Sequence, residues 1–223
     1  MWTQTWNQLA FLHWPVPHAQ LRPLVPRDLL LEEFNGSAWV AVTPFVITGA
    51  TLRGIPPLPL LSTFPETNVR TYVRHGDHPG IWFFSLDADT RLGVFGGRWL
   101  YELPYVYATM SARRTAPRVD YDVRRPGGER MHVSYEPTGP VRRAPPATLE
   151  YFLTERYCLY AKSRGGQLYR AEIHHVPWPL QSAKATIERN DLLVANGISV
   201  AGSPMVHYAE RLDVAIWPLR AVR

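Results

Sequence analysis

The chain has 223 residues, of which 46% are hydrophobic, 12% aromatic and 19% charged, with a formal net charge of +5. These values exclude disordered, collagen-like and coiled-coil classes, and the length suits a single β-rich domain covering 1–223. The longest apolar run, Pro56–Leu61, is broken by prolines and falls far short of the roughly 18 residues of a spanning helix. The N-terminus lacks a basic region and a cleavage site, so a cytoplasmic location without a membrane partner is expected.

The charge is local. The segment from Arg113 to Arg143 holds eight arginines against four acids. Its charges interleave and fall on turns, as on a solvated face rather than a nucleic-acid surface. Only Lys162 and Lys184 are lysines, so Schiff-base chemistry has two side-chain amines to draw on. Cys158 stands alone; no internal disulfide is possible, and a small core side chain is expected.

In chain order, "LAFLHWPVPHAQLRPLVPRDL" (9–29) reads as a short strand, a helical turn and a proline stop, and "SAWVAVTPFVIT" (37–48) as a strand. A proline-rich loop, "GIPPLPLLSTFP", follows. "TNVRTYVR" (67–74), "GIWFFSLDA" (80–88) and "LGVFGGRWL" (92–100) read as three strands of an antiparallel meander separated by turn sequences. "YVYATM", "RVDYDVR" and "MHVSYE" continue the β pattern, with a hairpin turn at 125–128. "ATLEYFLTERYCLYA" (147–161) begins with helical spacing and can pass into a strand, and "QLYRAEIHHVPWPL" reads as a strand ending at Pro177. "SAKATIERNDLLVANG" (182–197) is predicted as a helix capped near Ser182 and stopped at Gly197. The tail from Met205 returns to strand. The class is α+β and β-rich: a mostly antiparallel sheet, closed or nearly so, with a few short peripheral helices.

Alternation places Glu66, Asn68, Arg70 and Tyr72 on one strand face. On an ordinary sandwich strand such a polar face is solvated; in a barrel it lines a lumen, where it can hold a small molecule. The next strand puts Ile81, Phe83, Ser85 and Asp87 together, opposite Trp82, Phe84 and Leu86, so Ser85 and Asp87 are expected to bond Arg70 or Arg98. No ligand set for a metal, no nucleophile elbow and no phosphate-cradling glycine loop is found; neither metal nor cofactor is expected.

The stretches "HWPVP", "LRPLVPRDLLLEEFNGSAWVAVTPF", "FPETNVRTYV", "GIWFFSLDA", "LPYVYATM", "FLTERYCLYA" and "HHVPWPLQSA" together resemble the uncharacterised YqjF-like family, DUF2071, from about Trp6 to Trp217. That family is grouped with the acetoacetate decarboxylase-like superfamily, so the resemblance implies a barrel or cone with a central cavity. "LRPLVPRDLLLE" (21–32) and "GRWLYELPY" (97–105) are similar to segments of the decarboxylase itself. There a Pro-Lys-Lys sequence supplies the Schiff-base lysine and its neighbour; here Pro104 is followed by Tyr105 and Val106. A phenol forms no iminium, so the resemblance carries over the fold and the cavity without the reaction.

The expectation is a cavity protein binding a small acidic, aromatic or apolar molecule, with self-association into a homo-oligomer left open. Its ligand-binding candidates are His13, Trp14, Asn68, Arg70, Tyr72, Ser85, Asp87, His175 and Trp178, with Trp82 as a further aromatic wall. The alternative is a lysine-independent lyase, isomerase or hydrolase acting on a small oxygenated acid. In it Glu66 serves as acid or base, Arg98 holds an anion and Tyr105 donates a proton or hydrogen bond. Glu155 and Arg156 rim the cavity or serve packing.

Overall fold

The computed structural model describes residues 1–53 and 63–222; most of the expected proline-rich loop lies outside them. The strands are β1 (Trp2–Val16), β2 (Leu30–Leu31), β3 (Ala38–Leu52), β4 (Thr63–His75), β5 (His78–Ala88), β6 (Tyr105–Tyr107), β7 (Thr109–Thr115), β8 (Arg118–Arg124), β9 (Arg130–Pro137), β10 (Cys158–Lys162), β11 (Leu168–His174), β12 (Gln181–Asn190), β13 (Met205–Ile216) and β14 (Arg220–Ala221). Between them lie the short helices α1 (His18–Leu21), α2 (Arg91–Leu100), α3 (Leu149–Thr154) and α4 (Asp191–Ala195).

Pairing runs antiparallel from β1 to β3, β4 and β5, then in parallel from β5 to β10 and antiparallel again to β11. β11 reaches β13 through Ile173–Ile216 and His174–Ala215, and β13 returns to β1. This circuit closes the sheet into a barrel, which removes free edges. β12 leaves β13 after two paired residues and continues with β9, β8 and β7 as an outer sheet.

Alternation gives each barrel strand two buried faces. On β1, Leu9 and Phe11 point into the lumen while Ala10 and Leu12 point outward; on β4, Phe64 and Tyr72 point inward and Val69 and Val73 outward. Tyr121, Val123, Met131, Val133 and Tyr135 of the outer sheet cover the outward set. Each large side chain buried this way contributes roughly 1.5–3 kcal/mol. Two hydroxyls fasten the layers. That of Tyr121 lies 2.9 Å from the carbonyl oxygens of both Phe45 and Glu66, and that of Tyr135 donates to Gln8 O at 2.8 Å. Gln8 sits at φ 52 where β1 slips register against β3, so Tyr135 satisfies a carbonyl at that irregularity.

Two expected elements differ. Residues 92–100 form most of helix α2, capped by Thr90, whose hydroxyl accepts from Gly93 N at 3.2 Å. Its cavity-lining residues, Gly93, Gly96, Gly97 and Leu100, recur at helical spacing beside the buried Val94; because three are glycines, the apolar period is weak in the sequence. Residues 182–190 are strand, with Ala183, Ala185 and Ile187 packed on the core and Lys184, Thr186 and Glu188 exposed. Pairing with β9 overrides the helical propensity of the alanines. Only 191–195 are helical, and Gly197, at φ 72, follows them.

Candidate functional site

Glu66 projects from the lumen face of β4, with its own carbonyl oxygen beside the Tyr121 hydroxyl. Tyr105, at the start of β6, is brought to it because β6 pairs in parallel with the end of β5 (Leu86–Tyr105). The Tyr105 hydroxyl donates to Glu66 Oε2 at 3.0 Å. Behind the ring stands Gly97 of α2, where a Cβ would lie 2.3 Å from two Tyr105 ring carbons. A glycine is required there for the helix to approach.

The pair lies on the wall of a cavity of about 200 Å³ at one end of the barrel. Trp2, Ile47, Phe64, Leu100, Leu103, Leu159 and Ile216 line the rest, with Gln4, which accepts from the Trp2 indole N–H at 3.0 Å, and Tyr101 as further polar-bearing side chains. Glu66 is 4% exposed, and burial pushes its carboxyl up to about 8, against the pull of the Tyr105 hydrogen bond and with a further push from the Asp87 charge. Burial and the neighbouring Glu66 hold the Tyr105 phenol well above its usual range. At neutral pH the pair is largely uncharged, with a carboxylic acid able to donate one proton to a bound oxygen.

Arg98 is not part of this wall. Because 92–100 is a helix, its side chain is exposed and its Nε donates to Tyr105 O at 2.6 Å, steadying β6 from outside. Ser85 and Asp87 are also displaced. β4 and β5 slip register between Val69 and Arg70, so Val69 faces Ser85 while Arg70 faces Phe83. The slip turns Leu86 and Ala88 inward and sends Ser85 and Asp87 outward. Their partner is Arg125, which sequence reasoning left in a hairpin turn. Its Nε and Nη2 meet Asp87 at 2.5 and 2.8 Å, and Nη2 also reaches Ser85 Oγ at 2.9 Å. Trp14 and Trp82 face the outer core, Trp14 donating to Gly202 O at 3.2 Å.

His13, Asn68, Arg70, Tyr72, His175 and Trp178 are buried further along the barrel. Phe11 stacks on His13 with centroids 5.6 Å apart, meets Trp178 edge-on at 4.8 Å and carries the Arg70 guanidinium 5.2 Å above its ring. Burial, with Arg70 and His207 nearby, keeps His13 well below its usual range. Burial likewise lowers His175, which stacks on Tyr157 and lies beside Trp178. Glu155 and Arg156 serve packing: Glu155 accepts from Trp178 N at 3.0 Å, and Arg156 pairs with Glu32 and donates to Phe152 O at 2.7 Å. Lys162 and Lys184 lie in ion pairs with Asp28 and Glu136, away from the cavity. Among the described residues, no group of three or more His, Cys, Asp or Glu could hold a metal ion, and no helix is long and apolar enough to cross a membrane.

Sequence reasoning missed Tyr121, which holds the Glu66 backbone, and Gly97, whose only signal is the Gly-Gly pair before Arg98. The site is therefore an apolar cavity with one hydrogen-bonded acid–phenol pair.

Residues 3–213 match the model of the DUF2071 family, described as an uncharacterized conserved protein. The chain is 45% identical over 220 residues to the uncharacterized protein YqjF of Bacillus subtilis (strain 168), covering 97% of this chain and 90% of that one. Among solved structures it resembles acetoacetate decarboxylase from Legionella pneumophila (TM-score 0.70, 13% identity, 99% of this chain and 87% of that one). It also resembles the enduracididine biosynthesis enzyme MppR complexed with pyruvate (TM-score 0.71, 14% identity, 99% and 89%).

Proposed function

The chain belongs to the DUF2071 family and has the acetoacetate decarboxylase-like fold, and from that premise we propose that it binds a small, largely apolar molecule bearing a carbonyl or hydroxyl oxygen, without forming a Schiff base. One observation carries this reading: the uncharged Glu66–Tyr105 pair is set in the wall of an otherwise apolar cavity. Apolar surface supplies affinity, and the acid–phenol pair fixes the orientation of a polar oxygen. Among the described residues no lysine, arginine or histidine lines this spot, so the pair favours an uncharged oxygen over a carboxylate. The lone buried thiol of Cys158 accords with a reducing, cytoplasmic setting.

Acetophenone is the probe, and Trp2 in the cavity wall supplies the fluorescence signal. Saturable quenching is expected, weakened about tenfold in Glu66→Gln and in Tyr105→Phe, the equivalent of ~1.4 kcal/mol for a lost hydrogen bond. Affinity unchanged in both variants would sink the proposal. Borohydride with a keto acid should leave Lys162 and Lys184 unmodified, and an adduct on either would restore amine catalysis.

A second reading is favoured by the Glu66 carboxyl titrating at about 8: a general acid or base acting without lysine in a lyase, isomerase or hydrolase step. Arg98 has no contact role in it. Turnover of an oxygenated acid, with a rate profile bending near pH 8 that disappears in Glu66→Gln, would establish this reading over simple binding.

A further inference from the structure

The lumen contains a charged group that the acid–phenol pocket does not use. Arg70 is 5% exposed, and neither its Nε nor its Nη2 has a hydrogen-bond partner. The carboxylates on neighbouring elements, buried or half-buried, are engaged elsewhere. Glu32 holds Arg156, Glu155 accepts from Tyr157 and from Trp178 N, Glu150 pairs with Arg142 and His207, and Glu66 accepts from Tyr105. Among the described residues no ion pair involves Arg70. A guanidinium does not lose its proton in a protein, so a cation is enclosed without a counter-ion, an arrangement that is strongly unfavourable unless something else supplies the negative charge.

Aromatic rings and further unpartnered polar atoms surround the guanidinium. Phe11 fixes the guanidinium plane through a cation–π contact at 5.2 Å. Around the same ring, both nitrogens of His13 and the indole N–H of Trp178 are buried without partners; the hydroxyl of Tyr72, a neighbour of His13, also makes no well-formed hydrogen bond, although it lies close to the Arg70 guanidinium. Nε and Nη2 form the side-on edge of a guanidinium, whose two parallel N–H bonds match the two oxygens of a carboxylate. A water molecule could satisfy a donor here but would leave the charge uncompensated.

We propose that Arg70, beside the Tyr72 hydroxyl but with no well-formed hydrogen bond from its Nε–Nη2 edge and no counter-ion, is the binding site of a small carboxylate inside the barrel. The site is distinct from the Glu66–Tyr105 cavity and does not depend on that cavity's ligand.

The test is the melting temperature of the full chain at constant ionic strength, with sodium fluoride replaced stepwise by sodium formate, sodium acetate or sodium chloride. Formate and acetate should raise it saturably, by on the order of 5–10 °C at a hundredfold excess over Kd, and Arg70→Met should abolish the rise. Arg70→Lys keeps the buried charge but loses the paired edge; it should bind formate at least tenfold more weakly, and it carries the test if Arg70→Met does not fold. An equal rise in the variants, no rise in the wild type, or a response confined to chloride would overturn the carboxylate site. Loss of acetophenone binding with the formate response intact would count against the cavity reading alone.

Discussion

On the outer face of β5, Asp87 receives two bonds from Arg125, and Ser85 is shared between Arg125 and the Asn196 amide. On the lumen face of β4, Glu66 shares a single hydrogen bond with Tyr105, and a few residues along the same face Arg70 keeps two free donors. The strands are adjacent and both faces are buried, yet only the outer face supplies enough of its own partners to pair its charges. A complete polar network between packed layers stabilises the assembly and leaves nothing for a ligand to satisfy. An incomplete one inside a barrel leaves buried polar groups that a ligand would satisfy. Glu66 and Arg70 are therefore the functional candidates, and Asp87 and Arg125 are structural.

The largest contrast is in pH dependence. Glu66 has a folded-state carboxyl at about 8 against 4.5 when unfolded, so the folded protein binds the extra proton between these values. Its contribution is complete below about pH 4.5 and is lost as pH rises through about 8, amounting to at most roughly 4–5 kcal/mol. Urea unfolding from pH 5 to 9 should show stability falling across this window in the wild type, and Glu66→Gln should flatten that part of the curve. A wild-type curve rising over the same range would contradict the assignment of Glu66 as a neutral acid.

Next in size is the outer pair. Arg125→Met leaves the Asp87 carboxylate, fully buried, without its cation, and a loss of about 3–5 kcal/mol is expected. Adding Asp87→Asn should recover part of it, as measured by the unfolding midpoint of the double variant. A loss under about 1 kcal/mol in the single variant would mean that the outer network is not the closed unit described above.

How much of this was legible in the sequence depended on local regularity. The even-numbered residues of β4 keep strict alternation, so Glu66, Asn68, Arg70 and Tyr72 could be placed on one face from the sequence, while its facing the lumen rather than solvent depended on the closed barrel. β5 defeated the same reasoning because one register slip opposite Val69 and Arg70 reverses the faces beyond it, and no residue type announces it. Trp14, as the strand neighbour of His13, faces the other way, outside the lumen. α2 was hidden because its inward face is largely glycine, and the β12 alanines favour helix until β9 pairs with them. Tyr121 and Arg125 act across the contact between two sheets, so no motif within either segment reveals them. The resemblance to a family located Tyr105; periodicity alone could not bring it to Glu66.

Smaller effects test the wall itself. Gly97→Ala forces a methyl group to within 2.3 Å of the Tyr105 ring, and overpacking of this kind costs about 1–3 kcal/mol. Displacing the ring should also abolish acetophenone binding. At Gly96 an added Cβ meets nothing within 4 Å, so Gly96→Ala should keep the fold and gain up to ~1 kcal/mol of helix stability. Equal behaviour of the two variants in calorimetry would show that α2 does not pack on Tyr105 as described.

The smallest effect separates positioning from packing. Tyr121→Phe removes the hydroxyl beside the carbonyls of Phe45 and Glu66, and Tyr135→Phe removes the one on Gln8 O. Both are hydroxyl-to-carbonyl contacts, the first buried and the second partly so, and each loss should cost about 0.5–1.5 kcal/mol in urea unfolding. Only the first touches the backbone that carries the cavity carboxyl. Tyr121→Phe should therefore also weaken acetophenone binding, while Tyr135→Phe leaves it unchanged. If both variants lose stability and neither loses affinity, the outer sheet holds the barrel together without tuning the site, and the separation between the two faces of β4 is more complete than the Tyr121 contact implies.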